Sequence, residues 1–248
     1  MLEGLRVIEI EGLGPAPFAC MMLADLGADV IVVHRKNGHP APGMPERSLI
    51  DRGKRSIELD LKAAGDVAAL KKLVTRSEVL IEGFRPGVME RLGLGPDDLS
   101  AVNPDLIYGR MTGWGQTGPR AQTAGHDLNY VSVSGAGWYA SNTGEAPFTP
   151  PTLVGDIGGG ALYLVAGVLA AVMAARAGRG GTVVDAAIVD GSAHMMNLLM
   201  ALAQTPAGFR WNVARACSTA LIGAVAMSVP MAAMSRCNVW NRNSTPSF

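Results

Sequence analysis

The sequence predicts an α/β fold of Rossmann-like type, a mostly parallel sheet with helices on both faces. Three observations carry that expectation. Apolar β-rich runs alternate with stretches of helical spacing. The run EVLIEGF is apolar enough to be a fully buried strand. Turns rich in Gly and Pro, such as EGLGPAP, separate strand from helix. Strands that alternate with helices pair in parallel, because each crossover helix returns the chain to the same edge of the sheet.

The elements follow in order. LRVIEI is a strand, EGLGPAP a turn, FACMMLADLGA a helix and DVIVVHR a second strand, which together make a βαβ unit. A helix across residues 63–75, the strand EVLIEGF and a helix start at residues 86–92 repeat the cycle. Residues 106–110 read as a strand and 153–157 as a short apolar segment. Residues 158–176 read as a long helix, and TVVDAAIV as a strand entering a helix that contains residues 195–202. At 248 residues and 48% hydrophobic content, the chain can bury a sizeable core.

Composition removes several classes of function. Lys plus Arg number 21 and Asp plus Glu number 21, so no global positive field attracts nucleic acid or an anionic membrane. Any anionic ligand must be held by local groups. Cys20, Cys217 and Cys237 have no CxxC spacing, and their odd number argues against a disulfide framework or a zinc site. A reduced, cytoplasmic setting is expected, and the N-terminus lacks the pattern of a secretory signal. Residues 161–175 form an apolar stretch suited to a core helix and, at 15 residues, short for a membrane span. Residues 216–234 are uncharged and long enough, but rich in Ala, Ser and Gly and interrupted by Pro230. A dinucleotide fingerprint is not completed: Pro17 stands at the third glycine of GxGxxG, and no acidic residue ends the second strand.

Two segments carry candidate chemistry. MTGWGQTGPRAQTAGHDLNY is a long, Gly-rich loop, within which His126 precedes Asp127, an N-cap residue type, and an apolar helical start. His126 is thus placed at a helix N-terminus, where free backbone amides suit a developing oxyanion. In PPTLVGDIGGGALYLVAGVLAA, Asp156 precedes three glycines and the long helix. A bonded loop histidine and a helix-capping carboxylate are the structural alternatives to function at these two positions.

The strings GLRVIEI, GLGPAPFACMMLADLGADV, VLIEGFRPGVMERLGLGPDDL, YGRMTGWGQTGPR, AGHDLNY, LVGDIGGGALYLVAGVLAA and VVDAAIVDG together resemble the class III CoA-transferase superfamily. Within it they are similar to the α-methylacyl-CoA racemase branch. The resemblance implies a CoA-binding large domain over residues 1–204, with His126 and Asp156 as the two proton-transfer groups. It places Arg35, Leu59, Asp60, Leu61, Lys62, Gly83, Phe84, Arg85, Arg91, Gly125, Asp127, Leu128, Asn129 and Tyr130 in segments that hold CoA. Arg35, Arg85 and Arg91 suit phosphates by residue type, and Gly-rich turns offer backbone amides. His34 and Lys36 depart from the family's usual acidic-Arg-Pro pattern around Arg35.

The activity so implied is interconversion of (R)- and (S)-2-methylacyl-CoA thioesters through an enolate, with one base on each face of the α-carbon. A backbone N–H near Asp127 would hold the enolate oxygen. No metal or organic cofactor is called for, CoA being part of the substrate. The rival within the superfamily is a CoA-transferase using Asp156 as nucleophile; transferases generally lack the GHD histidine, so His126 favours the racemase. Family members form interlocked homodimers.

After Gln204 the resemblance ends, where the family continues into a smaller domain; that domain is expected to be largely missing and residues 205–248 to form a poorly ordered tail. Reading the codons of residues 230–246 one base out of register yields, with suitable synonymous codons, DGRYVAVQCVEPQFYA in one-letter code. That string resembles the family's small-domain motif, including the glutamate of EPQFY that is thought to partner the catalytic aspartate. A one-base frameshift near residues 209–216 is therefore expected, and the nucleotide sequence across this region tests it. A chain so altered could be an inactive fragment that at most binds CoA, unable to make the family's dimer.

Overall fold

The computed structural model describes residues 1–36, 38, 48–137, 146 and 149–203. The tail beyond Gln204 and its frameshifted motif lie outside the described residues.

Six strands form one parallel sheet: β1 Arg6–Ile10, β2 Asp29–Arg35, β3 Lys54–Leu59, β4 Val79–Glu82, β5 Ile107–Thr112 and β6 Thr182–Ala187. Their order is β3-β2-β1-β4-β5-β6, with Val7 opposite both Val30 and Val79. This is the classic doubly wound order, in which the chain reverses direction across the sheet between β1 and β4.

Alternation along the strands divides the core into two layers. Val7, Val79, Ile81 and Ile107 face one side, against α1 (Pro15–Asp25) and α6 (Leu162–Ala174). Ile8, Ile10, Leu80 and Tyr108 face the other, against α2 (Ala64–Val74), α3 (Val88–Arg91) and α4 (Pro96–Ser100). Each wholly buried Leu or Ile stabilises by roughly 1.5–3 kcal/mol. The sheet is therefore covered on both faces, as its apolar strands require.

Several elements differ from the sequence reading. The strand β3 was not anticipated, because KRSIEL alternates little and lies on an exposed edge. The helix expected from residue 86 shortens to α3, because Gly87 takes φ +83 just before it. The long helix expected from Gly158 begins earlier: Leu153–Ala161 is π-helical and continues into α6, and the helix closes over Ala175–Arg179, where Gly178 takes φ +83. The continuous run Leu153–Arg179 has 27 residues, long and apolar enough to cross a membrane by length and composition, and half of its most apolar window is packed inside the protein. The last expected helix divides into α7 (Ile188–Met195) and α8 (Asn197–Ala203).

Candidate active site

The carboxyl ends of parallel strands expose backbone groups at the point where the strand order reverses, and ligands of doubly wound sheets bind there. A cavity of about 450 Å³ lies at this point. Leu13, Gly14 and Pro15 of the β1–α1 turn line it, with Gly83, Phe84 and Arg85 after β4 and Thr112, Gly113 and Trp114 after β5. His126, Tyr130 and Asp156 complete the wall. The two residues proposed from sequence to move a proton, 30 positions apart, thus face one space.

His126 is the N-cap of α5 (Asp127–Val133). Its N–H donates to Asn129 Oδ1 at 2.9 Å, so Asn129 closes the helix start. Asp127, read from sequence as a capping residue type, is instead the first helical residue and turns inward, where it is buried. The backbone N–H groups of Asp127 and Leu128 have no hydrogen-bond partner among the described residues, as the first turn of a helix dictates.

Asp156 lies inside the π-helical turn, so it does not cap the long helix as a local reading allowed. One carboxylate oxygen accepts from the Thr152 hydroxyl at 2.9 Å. Burial lifts its carboxyl above the ordinary range; the Thr152 bond opposes this, neighbouring Asp127 reinforces it and His126 pulls the other way. A carboxyl so placed holds a proton more readily than a surface carboxylate.

Tyr130 is wedged into the wall by the absence of side chains. A Cβ on Gly113 would lie 2.1 Å from the Tyr130 ring, and one on Gly125 2.7 Å. Trp114 meets Tyr130 edge to face at 4.8 Å between centroids. The Arg120 guanidinium stacks 5.2 Å from the Trp114 centroid. No role was assigned to Trp114, Leu13, Thr112 or Ile188 from sequence, although Trp114 sits in the most informative loop; an aromatic residue between two loop glycines was the available signal.

Two buried ion pairs, one of them extended to an exposed carboxylate, anchor the strand ends. Lys54 Nζ sits 2.7 Å from Glu9 Oε2, both side chains no more than 2% exposed, and donates to the Pro17 carbonyl at 3.0 Å. Burial pushes the Glu9 carboxyl up to about 7 despite the adjacent ammonium. On the opposite face, Arg110 Nε donates to Glu82 Oε1 at 3.1 Å and Nη1 to Glu90 Oε1 at 2.8 Å. Glu82 Oε2 accepts the Phe84 N–H at 2.7 Å, so one guanidinium ties the turn after β4 to α3. Burial likewise raises Glu82 to about 7.

The other expected ligand residues divide between two grooves. Arg35, Leu59, Asp60, Leu61 and Lys62 line a second cavity of about 320 Å³ beyond β1, β2 and β3. Phe84 lines both this cavity and the inner one. Arg91 lies in a third depression beside Lys62 and Lys71. The side chains of Arg35, Lys62, Arg85 and Arg91 have no ion pair or hydrogen bond among the described residues. Leu128, 57% exposed, lines none of these cavities, and Asp127 is turned to the protein interior. Among the described residues no cluster of three His, Cys, Asp or Glu could hold a metal ion.

A doubly wound sheet with a histidine and a carboxyl of raised proton affinity at its carboxyl edge, and cations without ionic partners among the described residues in the grooves beside them, defines an α/β protein with a cationic crevice. The chain belongs to CoA-transferase family III, whose sequence pattern matches residues 2–225. It is 43% identical over 200 residues to α-methylacyl-CoA racemase from Mus musculus, covering 80% of this chain and 51% of that protein. It is 36% identical over 219 residues to acetyl-CoA:oxalate CoA-transferase from Acetobacter aceti, covering 82% and 55%. Among solved structures, a CAIB/BAIF family protein from Brucella suis superposes with a TM-score of 0.73 at 32% identity, over 82% of this chain and 57% of that one. The chain spans about half the length of the curated relatives it matches.

Proposed function

We propose that this chain is the CoA-binding large domain of an α-methylacyl-CoA racemase, in which His126 and Asp156 exchange the α-proton of a 2-methylacyl-CoA. The observation that carries the reading is that a histidine and a carboxyl of raised proton affinity face one cavity at the sheet's switch point.

A thioester acidifies its α-proton because the carbanion delocalises onto the carbonyl oxygen, so the chemistry calls for no metal or organic cofactor beyond the CoA of the substrate. One group removes the proton from one face and the other returns a proton to the opposite face. His126 acts as the neutral base in one direction and protonated Asp156 as the acid, and the roles reverse for the other enantiomer. The open N–H groups at the start of α5 stabilise the enolate oxygen. The unpaired Arg35, Lys62 and Arg91 take the CoA phosphates, and Phe84 marks the passage of the pantetheine arm to the inner cavity. A cytoplasmic setting and an interlocked homodimer of the whole protein belong to the same reading.

A second reading is favoured by the similarity to a CoA-transferase: Asp156 attacks the thioester and carries the acyl group, then CoA. Exchange of the α-proton in deuterated water distinguishes the two. The racemase reading expects exchange that His126→Ala and Asp156→Ala each abolish. Exchange that survives His126→Ala, together with CoA transfer between acids, would establish the transferase. A thermal shift on CoA addition without any exchange would mark a half-enzyme that binds and does not turn over.

A further inference from the structure

Asp127 follows the proposed base in sequence, yet its carboxylate points away from the cavity into the protein. There its Oδ1 accepts two hydrogen bonds, from the backbone N–H of Gly155 and that of Asp156, each 2.9 Å long. The donors come from a segment that the chain reaches only 28 and 29 residues later. Gly155 is what allows the approach: a Cβ there would lie 2.5 Å from Asp127 Oδ1. Capping α5 is left to Asn129, which bonds the His126 N–H. The second oxygen, Oδ2, is buried without a partner among the described residues, so the carboxylate is committed to these two amides at the cost of its own full solvation.

We infer that Asp127 is a positioning residue: it fastens the Asp156 segment to the helix that begins at His126, and so sets the separation of the two proton-transfer groups. The inference rests on the racemase reading for its catalytic meaning, but the fastening is a physical claim in its own right. Two effects are combined in one side chain. The acceptor oxygen fixes where the Asp156 backbone lies, and the charge faces the Asp156 carboxyl. The other groups facing that carboxyl are the Thr152 hydroxyl, His126 and the Tyr130 phenol, with Arg85 beyond Tyr130. Of these, Asp127 is the carboxylate that favours the protonated form.

The two effects separate in two variants of the full chain, followed by NMR with labelled Gly and Asp. Asp127→Asn keeps an acceptor oxygen and removes the charge. It is expected to leave the Gly155 and Asp156 amide proton resonances downfield, while the Asp156 carboxyl titration moves to lower pH. Asp127→Ala removes both, and the two amide resonances are expected to move upfield. Where the parent exchanges α-protons, Asp127→Ala should lower kcat about 100-fold with KM kept within about threefold, because misplacement by about 1 Å is that costly; Asp127→Asn should recover kcat to within about tenfold. Amide resonances unmoved in Asp127→Ala, kcat within threefold of the parent in that variant, or an Asp156 titration unmoved in Asp127→Asn would overturn the assignment. If the alanine variant fails to fold, the asparagine titration still decides. A parent that shows no exchange but responds as expected by NMR leaves the fastening intact; a CoA thermal shift then marks a half-enzyme, and the absence of any CoA response defeats the racemase reading.

Discussion

The inner cavity and the outer grooves are built at the same edge of one sheet, yet by opposite means. Around the inner cavity three wall segments are tied down from behind. Glu9 and Lys54 hold the first turn of α1, Glu82, Arg110 and Glu90 hold the turn after β4, and Asp127 holds the Asp156 segment. In the outer grooves Arg35, Lys62 and Arg91 are cations without ionic partners among the described residues. Proton transfer depends on sub-ångström placement, whereas gripping a phosphate needs charge within reach and tolerates freedom. Fixed contacts are thus concentrated where a proton would move.

The largest expected effects break the inner anchors. Arg110→Met leaves the Glu82 carboxylate buried without its cation and should lower unfolding free energy by about 3–5 kcal/mol in urea titrations; Lys54→Met should do the same through Glu9. A cost under 1 kcal/mol would mean that these walls are not held by the ion pairs. Gly113→Ala comes next, because its methyl meets the Tyr130 ring. Overpacking of about 1–3 kcal/mol is expected, with a loss of near-ultraviolet circular dichroism from the Trp114–Tyr130 pair.

The pH dependence of stability tests the same anchors without mutation. Glu9 and Glu82 titrate near 7 when folded and near 4.5 when unfolded. Between those values the folded chain binds more protons than the unfolded one, so stability is greatest at the acid end of the window and falls as pH rises through about 7. Calorimetry should show a loss of about 2–3 kcal/mol for each carboxyl, about 5 kcal/mol for the two, between pH 5 and pH 8. A flat profile would mean that the neighbouring cations cancel the cost of burial. Smallest is Arg91→Ala: stability within about 0.5 kcal/mol of the parent, and CoA affinity weakened about three- to tenfold by isothermal titration, equivalent to about 1 kcal/mol.

Much of this molecule is open to reading along the chain. DVIVVHR became β2 with both ends as expected, because an apolar run beside a Gly turn leaves little choice. His126 was placed at a helix start by the apolar residues after it, and there it is. KRSIEL carries no such signal, because an edge strand needs little burial. Asp127 was read as a local cap, the role its residue type most often plays, and its true partners lie in a distant segment.

By itself, then, the sequence determined the alternation of strand and helix, the two-layered core and the residue types able to move a proton. Those properties follow from periodicity and side-chain chemistry, which act over a few residues. The tertiary structure alone decided that Asp127 faces inward, that Arg110 joins two walls, and that His126 and Asp156 share a cavity. Each depends on segments tens of residues apart meeting at one edge of the sheet, and no local pattern encodes a distance of that kind.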